Sequence, residues 1–338
     1  MYSAEKSKSP YVSYRNRQRG FTLVEFMVAM ALGLVIMLAV SEIFVNNSQA
    51  RSEIERVSRQ VENGRFALQL LSDEIANAGF FGESGVPSLP AAAPAVCLRA
   101  ESDVLGSIAL PIVGGDNIAA TAAPVCLPSY KGRNDYIAIR RSSTCAVGTP
   151  GCDDFRSNHF HMQVAACRDA TGSITSHAVG DIVLARASTD MTALSRTCAS
   201  IKAPIYRYLS RVYYVRNDDV LVRSELQDPA VSPRYQKTPM VEGIERLHFE
   251  YGLDNTGDGV ADEYVGSVAA TDPEWESWSD VVVVRISLLA RALEVTPGYV
   301  DENTYTFPGG VTYTPNDGFK RQLYSAVVRV NSVSGRRE

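Results

Sequence analysis

The sequence predicts an α+β fold, in which one long N-terminal α-helix packs on a C-terminal antiparallel β-sheet domain. Three observations lead to this prediction. No proline lies between Pro10 and Pro87, so nothing forces a helix break in that stretch. An apolar run followed by an amphipathic pattern fills it. Segments rich in Val, Ile and Tyr, typical of strands, occupy the second half of the 338 residues.

The first half of the predicted helix is apolar. Residues 21–45 contain only four polar side chains, Thr22, Glu25, Ser41 and Glu42. This run is long enough to cross a bilayer. An ionisable group at membrane depth is costly by at least ~2.5 kcal/mol, so Glu25 is expected to have a partner and a function.

The second half of the predicted helix is amphipathic, with a single stripe to bury. Its apolar or small residues recur at three- and four-residue spacing: Ile54, Val57, Val61, Gly64, Leu68, Leu71, Ile75 and Ala78. Charged residues fill the other faces. We expect the whole helix to cover residues 21–80, with Gly79 as its C-terminal cap.

The remainder, residues 81–338, is predicted to be β-rich. Eight segments are expected to form strands: Asp135–Arg141, His159–Ala165, Asp181–Ala187, Ile205–Arg216, Asp219–Leu226, Gly243–Tyr251, Asp280–Ala292 and Gln322–Val330. The Pro-, Ala-, Gly- and Ser-rich stretch from Gly82 to Pro128 is interpreted as irregular chain.

All six cysteines follow the helix: Cys97, Cys126, Cys145, Cys152, Cys167 and Cys198. In an oxidising compartment an even number favours three disulfides, although six cysteines allow fifteen pairings. A local bridge between Cys145 and Cys152 is the preferred pair, because a Gly- and Pro-containing loop separates them. A zinc site is the alternative, but no C-x-x-C pair occurs.

Charge is distributed unevenly. The formal net charge is −5, yet residues 1–20 carry five basic side chains against Glu5 alone. The acidic remainder has no basic stripe, which argues against general nucleic-acid binding. A basic leader favours the cytoplasmic side of a membrane, so the C-terminal part is expected on the other side.

The junction Arg19-Gly20-Phe21-Thr22-Leu23-Val24-Glu25, preceded by a basic leader, resembles the type IV prepilin signal of pilins and type II secretion pseudopilins. The resemblance implies that a prepilin peptidase cuts between Gly20 and Phe21 and N-methylates Phe21. Residues 1–20 would then be the leader peptide. It also implies that Glu25 pairs with the terminal amine of a neighbouring subunit, a pairing favoured in low dielectric.

Two other interpretations of the N-terminus are considered. An ordinary secretory signal could be cut after Ser48-Gln49-Ala50, and the apolar run could be a plain membrane anchor. Glu25 would serve no purpose in a discarded peptide, and the helix pattern continues beyond Ala50. Both points favour the pilin-type signal.

The segments Gly64–Leu68, Asp73–Ile75, Ala78–Gly82, Tyr251–Tyr264 and Ala326–Asn331 resemble those of PilW-type minor pilins. The resemblance implies a pilin-like fold, a single membrane pass with a periplasmic C-terminal domain, and later residence in the pilus. It implies partnership with other minor pilins, the major pilin and a tip adhesin, with roles in priming pilus assembly, twitching motility and adhesion. The alternatives are a type II secretion pseudopilin of the J class and a membrane-anchored periplasmic binding protein or hydrolase.

A possible calcium loop runs from residue 254 to 262. Calcium loops place oxygen ligands at alternate positions with a glycine at the sixth, and Gly259 is sixth here. The candidate ligands are Asp254, Thr256, Asp258, the Val260 carbonyl and Asp262. Thr at the third position and Val265 at the twelfth depart from the pattern, and a Gly-Asp hairpin turn would use the same residues.

Other candidate sites are weaker. His159 and His161 share one face of a predicted strand and could form a metal pair, although an exposed strand face is the simpler interpretation. Trp275 and Trp278 could form a partner-binding loop or cover the sheet. The chain lacks the G-x-S-x-G, H-E-x-x-H and P-loop patterns. We therefore expect the chain to be a substrate of the prepilin peptidase and not itself an enzyme.

Overall fold

The computed structural model describes residues 20–84, 87–98, 100–167, 180–198, 200–227, 234–266 and 274–337. The chain divides into two compact units, and the boundary between them falls between Ile54 and Glu55, inside one helix. All but the last residue of the predicted leader lie outside the described residues.

A single helix, α1 (Leu23–Ala76), contains both predicted halves. Its most apolar 18-residue window has a mean hydropathy of 2.6, and none of that window is buried. By length and composition α1 can cross a membrane. The predicted long apolar N-terminal helix is confirmed.

In the unit that begins at Glu55, one stripe of α1 is buried, as an amphipathic helix requires. Its members are Gln60, Gly64, Ala67, Leu71 and Ile75. The predicted stripe was wrong at its start, because Ile54 is 70% exposed and Val57 is 36% exposed. Burial begins at Gln60, whose Nε2 donates to the Ala290 carbonyl at 3.0 Å.

The rest of the described chain is mainly β-structure. The strands are β1 (Ile112–Ile118), β2 (Asn134–Ala146), β3 (His161–Val164), β4 (Ile182–Ala185), β5 (Tyr206–Val215), β6 (Val220–Leu226), β7 (Tyr235–Glu242), β8 (Ile244–Leu253), β9 (Glu263–Val265), β10 (Val281–Arg291), β11 (Tyr305–Thr306), β12 (Thr312–Tyr313) and β13 (Arg321–Arg329). Two short helices, α2 (Glu101–Ser107) and α3 (Asn331–Ser334), complete the described elements with three 3₁₀ turns.

These strands form antiparallel sheets. Within the described ranges, β1 to β7 make a seven-stranded sheet, and β13, β10, β8 and β9 make a four-stranded sheet in that order. Strands β11 and β12 form a separate pair. A helix followed by antiparallel sheets is the α+β class predicted from the sequence, and that class is confirmed.

Each of the eight predicted strands coincides with an observed strand, but other elements were missed. The stretch interpreted as irregular contains α2 and β1, and β7 was not predicted. Gly114 and Gly115 weaken the strand signal of β1, yet a Cβ at either position would overlap the Tyr251 hydroxyl or the Tyr136 ring. Pro239 obscures β7, which tolerates it because β7 pairs only with β6 and is an edge strand.

Three disulfides stabilise the part of the chain between α1 and β5. They join Cys97 to Cys126, Cys145 to Cys152, and Cys167 to Cys198. The Cα atoms of these pairs lie 5.7, 5.8 and 4.9 Å apart, within the range that disulfides require. The predicted local bridge between Cys145 and Cys152 is present.

A charged cluster fastens α1 to the seven-stranded sheet. Glu74 Oε1 accepts from Arg141 Nη2 at 3.0 Å and from Arg211 Nη1 at 2.6 Å. Arg211 Nε also donates to Glu225 Oε2 at 2.8 Å. The side chains of Glu74, Arg141 and Arg211 are each 13% exposed, so these ion pairs are shielded from solvent.

Removing the charge of Glu74 should destabilise this unit. We expect Glu74→Gln to lower the free energy of unfolding by about 1–3 kcal/mol, because two partly buried guanidinium groups lose a charged partner. The measurement is denaturant unfolding of the full chain in detergent, followed by near-UV circular dichroism. Glu62→Gln, an exposed position on the same helix, is the matched control and should change little. Equal stability of the two variants would contradict the assigned role.

Candidate assembly site at the N-terminal junction

The predicted processing bond lies in exposed, non-helical chain. Gly20 and Phe21 precede α1, and the Phe21 side chain is 89% exposed. A peptidase needs such access to the peptide it cuts. Cleavage and methylation at this bond remain predictions.

Thr22 and Glu25 form a capping box at the start of α1. Glu25 Oε2 accepts from the Thr22 backbone N at 2.9 Å and from Thr22 Oγ1 at 2.9 Å. Thr22 Oγ1 accepts in return from the Glu25 backbone N at 3.2 Å. Reciprocal bonds of this kind satisfy amides that the helix leaves unpaired in its first turn.

The sequence reasoning missed this local role of Glu25 and the part played by Thr22. The signal was present, since Thr22-Leu23-Val24-Glu25 is the T-x-x-E pattern that precedes an apolar run. The cap uses Oε2 of Glu25, and Oε1 has no hydrogen-bond partner among the described residues. A carboxylate in the first turn also complements the positive end of the helix dipole. Glu25 can therefore cap its own helix while one oxygen stays available to an external amine.

Family comparisons cover both ends of the described chain. The model of a prokaryotic N-terminal methylation motif matches residues 15–41, a range that includes Gly20, Phe21 and Glu25. The model of type IV pilus-assembly protein W, PilW, matches residues 212–332.

The chain is a type IV pilin-like protein with a PilW domain.

Other comparisons are more distant. Among solved structures, the chain is similar to a type IV-like pilin from Thermus thermophilus, with 14% sequence identity and a TM-score of 0.34, over 82% of this chain and 98% of that one. Among curated proteins no significant match is found. The two matched families are pilin types and not enzyme families. The methylation motif and the apolar helix fit a membrane-anchored pilin.

The PilW domain contains the whole four-stranded sheet and the calcium-loop candidates. In that loop, Asp254 accepts backbone N–H groups of Gly257 at 2.6 Å and Gly259 at 2.9 Å. Asp262 Oδ2 accepts from the Asn255 and Thr256 amides. The loop carboxylates are therefore engaged by the loop's own amides, which is the hydrogen bonding of a Gly-Asp turn.

Arginine also occupies the calcium candidate. Arg337 Nη1 donates to Asp254 Oδ2 at 3.2 Å and to the Asp254 carbonyl at 2.8 Å. A calcium ion at Asp254 would have to compete with this guanidinium. Binding by Asp254, Thr256, Asp258, Val260 and Asp262 stays a prediction.

The two tryptophans of the PilW domain are core residues. Trp275 is 5% exposed and Trp278 is 4% exposed. The Trp278 ring packs edge-on against Tyr251 with centroids 4.7 Å apart. The two tryptophans therefore cover the sheet, as one of the two interpretations of the sequence had it, and do not form an exposed partner-binding loop.

His159 and His161, which precede the PilW domain, are both buried. The expected exposed strand face was therefore wrong. His161 stacks on Phe155 with ring centroids 4.0 Å apart. Burial lowers the pKa of His161 to about 4; the charges of His159 and Arg207 act in the same direction, and a hydrogen bond to the His159 backbone opposes them.

Calcium affinity should respond to Arg337. We expect Arg337→Gln to tighten Ca²⁺ binding by about tenfold, because Asp254 loses a charged competitor. Isothermal titration calorimetry of the full chain in detergent measures the Ca²⁺ affinity. Arg336→Gln, which changes the neighbouring arginine, is the control and should leave the affinity unchanged. If neither the parent chain nor Arg337→Gln binds Ca²⁺, the loop is only a turn.

The low pKa of His161 predicts an acid-dependent loss of stability. Because the folded value, about 4, lies below the unfolded value of about 6.5, the stability is complete above pH 6.5 and falls as the pH drops toward 4. We expect this imidazole to account for about 1–3 kcal/mol of that loss. His161→Gln should lose less stability than the parent chain between pH 7 and pH 4. An NMR titration giving an ordinary imidazole pKa would contradict this expectation.

Proposed function

We propose that the chain is a minor pilin that primes type IV pilus assembly and resides at or near the pilus tip. In this role it supports twitching motility and adhesion and has no enzymatic activity. The observation that carries the proposal is the presence of a methylation motif and a PilW domain in one chain. A helix able to cross a membrane continues from the first of these.

In the proposed pathway, prepilin peptidase removes residues 1–20 and methylates Phe21. The mature chain is then anchored in the inner membrane, with its C-terminal domain in the periplasm. The even set of bonded cysteines supports an oxidising compartment.

Assembly would depend on two features of α1. Its exposed apolar part offers a surface to the helices of other minor pilins and of the major pilin. Glu25 Oε1 is available for the terminal amine of a neighbouring subunit, and this charge pair would fix the axial offset of the two helices. Pairing in low dielectric is favourable when both groups are otherwise satisfied, and the bonds from Thr22 supply that support.

The C-terminal sheets would then select partners outside the membrane. The proposal assigns no catalytic step to this domain. The proposed partners of its sheets are other minor pilins and a tip adhesin. The domain is held to α1 by the stripe from Gln60 to Ile75.

Substitutions can separate the two roles of Glu25. Glu25→Gln keeps a side chain able to form a capping box but removes the charge. Thr22→Val removes the capping hydroxyl, at about 0.5–2 kcal/mol of helix stability, and keeps the charge. We expect cleavage in both, with co-assembly lost in Glu25→Gln and retained in Thr22→Val.

The readouts are mass spectrometry of the mature N-terminus, cross-linking to other pilus subunits, and counts of surface pili. Glu25→Ala, which removes both cap and charge, should be cleaved and should fail to assemble. Normal piliation in Glu25→Gln would refute the registering role of the charge. Retention of the first twenty residues in the native protein would refute the proposed processing.

Deletion of the gene tests membership of the pilus system. We expect loss of pili and twitching with unchanged protein secretion, and restoration by the intact chain. Loss of secretion with normal pili would instead identify a type II secretion pseudopilin.

A further inference from the structure

Away from the N-terminal junction, three side chains from three strands converge where the two large sheets meet. Asp116 of β1, Asp135 of β2 and His248 of β8 each place one possible ligand atom within 4.8 Å of the others. Asp135 is 1% exposed and His248 is 3% exposed, while Asp116 is open to solvent. The cluster therefore has a buried floor and an accessible rim.

Backbone geometry builds this cluster. Strand β1 has a bulge between Gly115 and Ile118, and Asn117 adopts a positive φ of 46° there. The bulge turns the Asn117 amide toward Asp135 Oδ1, to which it donates at 2.7 Å. On the other side, the Phe249 amide of β8 donates to Asp135 Oδ2 at 2.7 Å. Two backbone donors thus hold the central carboxylate in place, as supporting groups do around metal ligands.

The donor set and spacing suit a transition-metal ion. His248 Nδ1 lies 3.3 Å from Asp135 Oδ1. Two ligands at ~2.0–2.1 Å from a tetrahedral zinc are separated by about 3.3–3.4 Å. Imidazole is a preferred ligand of zinc and related ions, whereas calcium and magnesium prefer oxygen ligands alone. Asp116 adds a second negative charge beside Asp135, which a cation would neutralise.

A buried hydroxyl gives independent support. Tyr251 is completely buried, and its hydroxyl has no hydrogen-bond partner among the described residues. This hydroxyl lies against Gly114 of β1, two residues before Asp116. An unpaired buried hydroxyl is unfavourable and calls for an explanation. If an ion binds at Asp116, a water molecule on that ion is the partner that we assign to this hydroxyl.

We propose that Asp116, Asp135 and His248 bind one divalent transition-metal ion of the zinc type. Asp116 and Asp135 belong to the seven-stranded sheet, and His248 belongs to the four-stranded sheet within the PilW domain. The ion is a cross-link between the two sheets. It fixes the four-stranded sheet to the seven-stranded sheet, independently of the assembly role of Glu25.

The test uses the full chain in detergent, stripped of metal with a chelator and titrated with Zn²⁺. We expect binding of one ion per chain, a raised melting temperature, and much weaker response to Mg²⁺ or Ca²⁺. Asp116→Asn, at an exposed position, should keep the fold by circular dichroism and lose at least about tenfold in Zn²⁺ affinity. Asp154→Asn, at an exposed position outside both candidate metal sites, is the matched control and should bind Zn²⁺ as the parent does.

Cobalt reports the ligands directly. Co²⁺ bound to the parent chain should give a visible absorption spectrum that changes in His248→Gln. Absence of stoichiometric Zn²⁺ binding would overturn the proposal, and so would unchanged affinity in Asp116→Asn. These measurements do not involve piliation, so their failure is distinguishable from failure of the proposed pilin function.

Discussion

The contact between the second part of α1 and the sheets is the interaction on which the C-terminal architecture depends. Both large sheets meet this one helix. Gln60 bonds to β10 of the four-stranded sheet, and Gly64 allows the Tyr324 ring of β13 to approach so closely that a Cβ would overlap it. Glu74 pairs with Arg141 and Arg211 of the seven-stranded sheet. Separate points along the second part of α1 therefore contact separate sheets.

The joint between the sheets has a polar character of its own. Asn134 Oδ1 accepts the Leu247 amide at 2.8 Å, and Asp135 Oδ2 accepts the Phe249 amide. Strand β9 pairs with β8 only from Tyr251 onward, so these two side chains satisfy backbone groups that no strand covers. Buried amides need such partners. Asn134 and Asp135 thus complete the edge of the four-stranded sheet, and the same hydrogen bonds hold their side chains in place.

Much of the fold could be predicted because its signals are local. A long apolar run predicted the first part of α1, and segments rich in β-branched residues predicted strands such as β10. The elements that were missed are those whose residues are determined by packing against residues distant in the sequence. Gly114 and Gly115 are in β1 because tyrosines from β8 and β2 fill the space a side chain would need. Ile54 looked like part of the buried stripe because periodicity gives no indication of where packing begins.

The candidate sites divide in the same way. Gly20, Phe21 and Glu25 are neighbours in the sequence, so a motif identified them. The cap from Thr22 was missed, although the four-residue pattern T-x-x-E indicates it. By contrast, Asp116, Asp135 and His248 are brought together only by strand pairing and a bulge. No spacing in the sequence could have predicted that cluster. The burial of His161 could not be predicted from the sequence either.

The placement of the disulfides has a consequence for biogenesis. All six cysteines precede β5, and the PilW domain contains none. In the proposed orientation the cysteine-rich segment follows the membrane helix and emerges first from the translocation machinery. Thiol oxidation can then be completed while the later strands are still being delivered. Dependence on an oxidoreductase would thus be confined to the early segment, and the four-stranded sheet would form without any disulfide of its own.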